Sequence, residues 1–521
     1  MRKLSEIFLA LILILVTVTG CSGDNNGGSA GATDSGSTIE SAAAGAHEQN
    51  MSIVMSADIT SMDPTTSASL WSQYVLFQTY DRLYEFDEDM APVPHLAKTT
   101  EMVSDTEWLI TLQEDVKFSD GSPLTAKDVK ASLDRAIASG IAGSLMRPLE
   151  SVDVVDDLTI RITTTSLYPQ LTLAISHVST CILPADYLLQ VEETKDWSSP
   201  VCSGRYTFAS RIPGENIVLT PNEHFWDNTT AAKNTSLTFH VVPESSTRTI
   251  MVQTGEADLN VDFSTTDYEL AASDSKVSIY EHASCVMTFM TLDCQNEYLS
   301  SKTIRQALNY AIDRENVLLV QENGYGAVNY TYMSNPCFGW MDNPGSYSYD
   351  PDKARALLVE AGYADGFNMD LYVTADYTSA ASLIQANLQE VGITANIQMM
   401  ESLDEIVARA VDGSLTSCVT IWGCYTDPTL VVERNLGESA LGAYNISRYV
   451  NEELEGLWQY GYAYQDVAER IPYYEQWQEI LTDDSPWVPL YVGKIFVVAN
   501  AELQGVELST EQAFNFYNLT Y

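Results

Sequence analysis

Apolar and polar residues follow one another along the chain in short blocks whose period changes repeatedly. Segments 158–164, 236–242 and 393–399 alternate, or run apolar with β-branched residues, and therefore predict strands. Apolar residues at helical spacing lie between such segments, and no unit of about 20–50 residues repeats. The pattern predicts mixed α/β lobes rather than a solenoid or a propeller.

Several predicted helices carry start and stop signals. Asp350 can cap a helix that has Pro351 at its first position and Gly362 as its stop. Two further starts are predicted, one by a capping box (Thr125 with Asp128) and one by Ser301 before an apolar face. Pro472, inside the helical stretch 466–481, predicts a kink or a split there.

The length of 521 residues exceeds what one core supports, since single cores stop growing near roughly 250–300 residues. At least two lobes are therefore expected. Hydrophobic residues make up 45% and charged residues 19% of the chain, which is typical of globular proteins. Lys and Arg total 26 against 71 Asp and Glu, and this net charge of -45 would repel a phosphate backbone. Nucleic acid is excluded as a partner.

The first residues have the pattern of a secretory signal. A basic start at 1–3 precedes an apolar run at 7–18, which is too short to span a bilayer permanently. The sequence Val-Thr-Gly-Cys at 18–21 resembles the bacterial lipobox. This resemblance implies removal of residues 1–20, a diacylglycerol on Cys21, and a tether over 21–49 that holds the protein at the extracytoplasmic face of the cell membrane. The alternative, a buried core helix, fits the polar flanks poorly.

Cysteines and histidines give no metal-binding pattern. Seven cysteines remain after Cys21, so an odd count leaves at least one thiol unpaired, and their connectivity stays open. The sequence has no C-x-x-C pair, and its six histidines are scattered. No nucleotide-binding loop is present either. We expect no protein-held metal and no cofactor.

A series of motifs carries a family resemblance over nearly everything after the tether. In chain order, the main motifs are SMDP (61–64), VPHLA (93–97), DVKFSDGSPLTAKDVKASL (115–133), PVCSGRYTF (200–208), PNEHFW (221–226), TGEADL (254–259), IRQALNYAIDRENVL (304–318), YDPDKARALLVEAGY (349–363) and SPWVPLY (485–491). The chain thereby resembles the peptide/nickel family of solute-binding proteins of ATP-binding-cassette (ABC) importers. Most of these motifs are turns, caps and helix faces, which specify architecture rather than ligand.

The resemblance implies a two-lobed, periplasmic-binding-protein-like α/β fold with two hinge strands. Lobe I would comprise 50–84, 200–284 and 488–521, an inserted subdomain would span 85–199, and lobe II would span 285–487. Such lobes close over a ligand by hinge bending. The implied partners are permease and ATPase subunits of an importer, and we expect a monomer.

A peptide held between lobes is best bound through its main chain, and its buried amine needs a carboxylate. The resemblance places that aspartate four residues before Pro428, where this chain has Cys424. A neutral thiol does not replace a carboxylate. Asp427 is the alternative, although an Asp before Pro usually initiates a turn.

Further residues are predicted to line the ligand site. Trp422, Gly423 and Tyr425 would form the wall next to Cys424. Trp71 would contribute from lobe I, and Met287 from the crossing strand that follows Cys285; for the tryptophans and Tyr425, core packing is the alternative interpretation. Arg434 is either a partner for a ligand carboxylate or a solvated surface charge.

Other functions remain open at this point. Within the family, a nickel complex or an oligosaccharide is the main rival to a peptide, because aromatic walls suit either. A secreted hydrolase is disfavoured, since no H-E-x-x-H motif is present and the carboxylates are too numerous for any pair to stand out. A surface signalling receptor would use the same cleft. No enzyme activity is expected.

Overall fold

The computed structural model describes residues 49–66, 69–87, 90–139, 143–335, 337–342, 347–423, 425–441, 444–508 and 514–521. The predicted signal segment, Cys21, nearly all of the tether, and Cys424 lie outside these residues. Residues 47–521 cluster as one unit. In the described part of the chain, no helix has both the length and the apolar content needed to cross a bilayer.

Strands and helices alternate through the described residues, as the sequence predicts. The strands are β1 (Asn50–Met55), β2 (Tyr84–Phe86), β3 (Pro92–Pro94), β4 (Ala97–Ser104), β5 (Glu107–Leu112), β6 (Leu149–Asp156), β7 (Thr159–Thr164), β8 (Tyr206–Ile212), β9 (Asn216–Pro221), β10 (Ser236–Val241), β11 (Leu259–Asn260), β12 (Val277–Leu292), β13 (Gly326–Val328), β14 (Asn368–Val373), β15 (Thr394–Met399), β16 (Ser417–Trp422) and β17 (Trp487–Asn500). The helices are α1 (Leu70–Thr79), α2 (Ala126–Ala138), α3 (Gly143–Met146), α4 (Leu171–Ala174), α5 (Ala185–Thr194), α6 (Ser245–Thr254), α7 (Tyr268–Ala272), α8 (Lys302–Ala311), α9 (Arg314–Glu322), α10 (Pro351–Glu360), α11 (Thr378–Glu390), α12 (Leu403–Asp412), α13 (Val432–Leu436), α14 (Glu452–Trp458) and α15 (Val467–Asp484).

The local predictions hold with one exception. Strands β7, β10 and β15 match the three predicted strands, and α10 begins at Pro351, where the Asp350 carboxylate accepts a hydrogen bond of 2.9 Å from the Lys353 amide. The capping box at the start of α2 and the start of α8 after Ser301 are also present. Helix α15 runs through Pro472 as one element, so the helix is not split there, and a kink stays a prediction. The proline lies in the second turn, and only one early main-chain hydrogen bond is lost there.

One large sheet carries the two-lobed fold. Its 11 strands run in the order β15-β14-β16-β12-β17-β11-β1-β10-β9-β8, with β13 paired to β17. The two central strands, β12 with 16 residues and β17 with 14, are antiparallel and are the predicted crossing strands. Their register breaks between Ala283 and Met287, opposite Gly493. A Cβ at Gly493 would meet nothing within 4 Å, so the side-chain face of β17 is open at the break, while its backbone pairs with Gly326 of β13.

Separate hydrophobic cores lie along this sheet. One core packs α1 against β1, β9 and β10, and another packs α8, α10 and α11 against β14 and β15. A second, four-stranded sheet of order β4-β5-β7-β6 has its own core under α2. Each fully buried Leu, Ile or Phe in these cores stabilises the fold by roughly 1.5–3 kcal/mol. The chain therefore builds several independently packed regions around one continuous sheet.

Candidate functional site

Trp71 lies at the edge of the sheet where β1 and β11 end. These strands are parallel neighbours, so Ser56 and Asp262, which follow them, lie at the same edge. The Trp71 indole Nε1 donates to Asp262 Oδ2 at 2.7 Å and to Ser56 Oγ at 2.8 Å, and Tyr74 OH donates to Asp262 Oδ1 at 3.1 Å. The indole is half-buried and also packs on the neighbouring core. Its polar edge is thus fixed, and one part of its ring remains accessible.

Met287 is a buried residue of the crossing strand. It pairs with Trp422 on β16 and with Val492 on β17, and it is 3% exposed. Asn329 Nδ2 lies 2.8 Å from its sulfur. Met287 is thus buried in the core that contains Trp487.

Trp422 ends β16 and heads a stack of aromatic rings. Its ring is 6.4 Å from that of Phe289 at an interplanar angle of 23°, and Phe289 stacks on Trp487 at 4.1 Å. Tyr444 meets Trp422 edge-on at 6.1 Å. Trp422 is half-buried, and its Nε1 is buried without a hydrogen-bond partner in the described residues. The half-buried ring of Trp422 thus forms a rigid aromatic surface, which is suited to stacking on a solute.

The residues after Trp422 leave the sheet. Gly423 is exposed, and a Cβ there would meet nothing within 4 Å. Cys424, the position predicted to replace the amine-binding aspartate, lies outside the described residues. Tyr425 is half-buried and packs against both the core beneath α2 and the core that contains Trp487. Tyr425 therefore links these two cores.

Asp427 is enclosed in a hydrogen-bonded network. It is 2% exposed, forms an ion pair with Arg470, and accepts hydrogen bonds from Tyr474 OH at 3.0 Å and Gln170 Nε2 at 3.1 Å. It also caps the short turn at 428–430 by accepting from the Thr429 amide at 3.1 Å. Burial alone would lower the pKa of Arg470, but the adjacent carboxylate raises it above its ordinary value. The arrangement matches the turn-initiating role considered for Asp427.

Arg434 on α13 is half-buried, which is not the position of a solvated surface charge. Its guanidinium lies 4.2 Å from the centre of the Tyr444 ring, and its Nε is buried without an acceptor in the described residues. Burial lowers the pKa of His177 in the inserted region to about 3, and the charge of Arg434 contributes to this shift. Arg434 therefore lies within electrostatic range of the inserted region, beside the aromatic wall.

Cys285 at the start of the crossing segment is disulfide-bonded and 2% exposed. The cysteines that are free thiols among the described residues are Cys181, Cys202, Cys294, Cys337 and Cys418. Burial raises the pKa of each free thiol to about 12, so none is poised for nucleophilic chemistry.

Sequence reasoning missed a buried cluster of Asp81, Glu85 and His95. His95 Nε2 lies 3.1 Å from Asp81 and 3.5 Å from Glu85, close enough for the three groups to share a metal ion. Arg205 Nη1 also donates to Glu85 at 3.0 Å. Burial opposes ionisation of Glu85, yet His95 and Arg205 bring its pKa down to about 2. The cations already neutralise the carboxylates, so the cluster is better explained as an ion-pair network.

Sequence reasoning also missed Arg470, Gln170 and Glu433. Arg470 and Gln170 surround Asp427, although they are 43 and 257 residues away from it in the sequence. Burial raises the pKa of Glu433 to about 7, and Tyr462 OH donates to its carboxylate at 2.6 Å. No local motif marks any of these positions.

Comparison with known proteins places this geometry in context. The family model for bacterial extracellular solute-binding proteins, family 5 Middle, matches residues 91–439. The glutathione-binding protein GsiB of Salmonella paratyphi A is 26% identical over 481 residues, which cover 89% of this chain and 93% of GsiB.

Solved structures share the fold. The periplasmic binding protein DppA from Helicobacter pylori, in complex with the peptide STSA, has a TM-score of 0.81 at 24% identity, covering 90% of this chain and 98% of DppA. NikZ from Campylobacter jejuni, in complex with Ni(L-His), has a TM-score of 0.76 at 22% identity, covering 91% and 100% of the two chains. The name of GsiB gives glutathione as its solute, and the two structures contain a peptide and Ni(L-His).

Proposed function

Because the chain belongs to family 5 of the bacterial extracellular solute-binding proteins, we propose that it is the lipid-anchored, extracytoplasmic binding component of an ABC importer and captures a peptide between its lobes. Permease and ATPase subunits would be its partners. GsiB is named for glutathione, and DppA was solved with a tetrapeptide. Peptide-like solutes are therefore well represented among its relatives.

One observation carries the capture mechanism. Strands β12 and β17 are the two long central strands of the large sheet, and their pairing register breaks beside Gly493. Trp422 lies on β16, the strand next to β12, and pairs with Met287 at this level. Bending at this break would move lobe I, with Trp71, relative to the aromatic wall on lobe II. Closure would then bury a ligand between Trp71 and Trp422. We place the division between lobes as the sequence predicts it: 50–84, 200–284 and 488–521 in lobe I, 85–199 in the inserted subdomain, and 285–487 in lobe II.

Gly423 and Tyr425 complete the proposed site. Gly423 lies in open space, where it leaves room for a ligand main chain to approach the end of β16. Tyr425 would hold the loop in place through its two core contacts. Met287 and Asp427 are buried, so we propose supporting roles for them.

A non-peptide solute is the second candidate, and the surroundings of Asp427 favour it. This carboxylate is paired with Arg470 and is not available to an incoming amine. The predicted amine position carries Cys424 instead of aspartate. An oligosaccharide or a nickel complex needs no amine-binding carboxylate, and an aromatic wall would serve it equally well.

The decisive experiment is a ligand screen by thermal unfolding on the soluble form that begins at Ser22. Free-amine peptides, amine-blocked peptides, oligosaccharides and nickel chelates are compared. A ligand at about one hundred times its dissociation constant stabilises the folded state by roughly 2.7 kcal/mol. We expect peptides to raise the melting temperature whether or not the amine is blocked, and Trp422→Ala to abolish the rise. A response to sugars or chelates alone would refute peptide capture and leave the family assignment intact.

The lipid anchor is tested separately. In cells fed radiolabelled palmitate, the full-length protein should carry label and fractionate with membranes. Cys21→Ala should lose the label and leave the membrane fraction. Labelling that survives this substitution would contradict anchoring through Cys21.

A further inference from the structure

Arg434 is the one half-buried arginine among the described residues for which no hydrogen-bond acceptor or ion-pair partner is found. Seven arginines form ion pairs with carboxylates: Arg135, Arg205, Arg211, Arg355, Arg409, Arg448 and Arg470. Five others donate to main-chain carbonyls or to a hydroxyl: Arg82, Arg147, Arg248, Arg305 and Arg314. Among described residues, only Arg161 and Arg434 have no recorded acceptor, and Arg161 is exposed on β7 whereas Arg434 is half-buried.

The lack of a partner is energetically significant because burial without an anion disfavours a charge. The protein has 71 acidic residues against 26 basic ones, so an acidic neighbour would be easy to supply. The Arg434 guanidinium instead stacks on Tyr444 at 4.2 Å, a contact that holds its plane in one orientation. The molecule therefore maintains an oriented cation with no anion of its own.

Asp427, Glu433 and Glu455 have other partners, and the carboxylate of Glu438, four residues from Arg434, is exposed and forms no ion pair with it among the described contacts. Asp427 is paired with Arg470, and the Glu433 carboxylate accepts from Tyr462 OH at 2.6 Å. Glu455 Oε1 accepts from the Glu438 amide at 2.6 Å and from Trp458 Nε1 at 3.1 Å. None of these neighbouring carboxylates therefore serves as the anion for Arg434.

The position of Arg434 identifies where that anion comes from. Tyr444, on which Arg434 stacks, meets Trp422 edge-on, so the cation lies at the border of the aromatic wall. Burial keeps His177 neutral at physiological pH, so it does not compete for an anion. A planar guanidinium beside an aromatic surface matches a planar carboxylate, which it can bind through two parallel hydrogen bonds.

We propose that Arg434 binds a carboxylate of the transported solute, so that this protein selects its ligand by an acidic group and not by an amine. This inference rests on the proposed function, because it concerns the same cleft. It deepens that function by naming the chemical class of the ligand: a carboxylate-bearing peptide, amino-acid derivative or chelate. In a protein of net charge -45, a local cation is also what makes anion binding feasible.

The test uses pairs of probes that differ only in one carboxylate. Free-acid peptides are compared with their carboxy-terminal amides, and the nickel complex of histidine with that of histidinamide, by calorimetry and thermal unfolding. For wild type we expect amidation to weaken binding about 10- to 100-fold, the range of a charge-assisted hydrogen bond. Arg434→Gln should bind both members of a pair equally, at the level of the wild type with the amide.

Two further variants separate recognition from folding and from net charge. Arg161→Gln removes the other arginine that has no hydrogen-bond acceptor, an exposed residue of β7. This variant should distinguish acid from amide probes as wild type does. Arg434→Lys keeps the charge but loses the planar fork, and it should retain part of the discrimination. Ligand-free Arg434→Gln should unfold at the wild-type temperature or above, since an unpaired charge is removed.

The outcomes distinguish this inference from the proposed function. Equal binding of acid and amide by wild type, or unchanged discrimination in Arg434→Gln, would overturn the role of Arg434 while peptide capture stands. A panel in which no carboxylate-bearing probe binds would overturn it as well. Discrimination that depends on Arg434 but occurs only with chelates would support the carboxylate anchor and refute peptide capture.

Discussion

The network around Asp427 gives a sharp prediction about stability. Asp427→Asn removes the negative charge but keeps the side-chain shape, and it leaves Arg470 as a buried cation facing a neutral amide. The side chains of Arg470 and Asp427 are 5% and 3% exposed, so solvent cannot take over the role of the lost anion. Breaking a buried ion pair by removing one partner typically lowers the free energy of unfolding by about 3–5 kcal/mol. We expect a loss in this range.

The assay is urea unfolding followed by tryptophan fluorescence, which is favourable because the chain has 9 tryptophans. The matched control is Asp134→Asn, which breaks the exposed pair between Lys130 and Asp134 at 2.8 Å and should lower the free energy of unfolding by less than about 1 kcal/mol. Adding Arg470→Met to Asp427→Asn should restore part of the loss, because the orphaned charge is then gone.

Two results would refute this reasoning. If Asp427→Asn destabilises no more than Asp134→Asn does, the buried pair of Asp427 and Arg470 does not stabilise the fold as we expect. If the variant keeps full stability but loses solute binding, Asp427 contacts the ligand directly, and the structural role assigned to it is wrong.

Three other predictions follow from the described contacts. Burial disfavours the charged form of His95, but the attraction of Glu85 and Asp81 outweighs burial and raises the pKa of His95 above its ordinary value of 6.5. The contribution of His95 to stability is therefore complete below pH 6.5 and is lost as the pH rises through the raised value. Between pH 6 and about 9, the melting temperature of wild type should fall more than that of His95→Gln, and parallel curves would contradict this. Non-reducing peptide mapping should find Cys285 in a cross-linked peptide and five thiols alkylated after denaturation, and an alkylated Cys285 would disprove the disulfide. Gly204→Ala would place a Cβ 2.7 Å from the carbonyl carbon of Thr79, so we expect a loss of about 1–3 kcal/mol in the free energy of unfolding; an unchanged urea midpoint would show that the backbone yields there.

Much of the architecture is readable from local sequence. Asp350 with Pro351, and Thr125 with Asp128, specify helix starts through contacts that span only a few residues, and both starts are present. The split predicted at Pro472 is absent because a proline near a helix start removes little hydrogen bonding. The rest of α15 is stabilised by the packing of residues such as Trp477. Local helix propensity predicts a helix well when tertiary packing does not oppose it.

The candidate site was only partly predictable. Trp422 and Tyr425 were proposed through the position of the segment before Pro428 in a family pattern; both are half-buried and pack on aromatic cores, and their contact with a ligand stays a prediction. The partner of Asp427, Arg470, was not found, because no spacing rule connects the two. Met287, which the sequence suggested as a ligand contact, is 3% exposed and belongs to the core that contains Trp487. Which side of a wall a residue faces depends on the register of neighbouring strands.

The sequence by itself determined the family, the mixed α/β class, and the residue types available for binding. These properties rest on local patterns: turns, caps, alternating apolar positions and charge. Only the tertiary structure decided which charges are already paired. Asp427 and Arg434 lie seven residues apart, yet one is neutralised by a distant arginine and the other has no acceptor among the described residues. Electrostatic pairing acts through space over a few ångströms, so it depends on which distant segments the fold brings together.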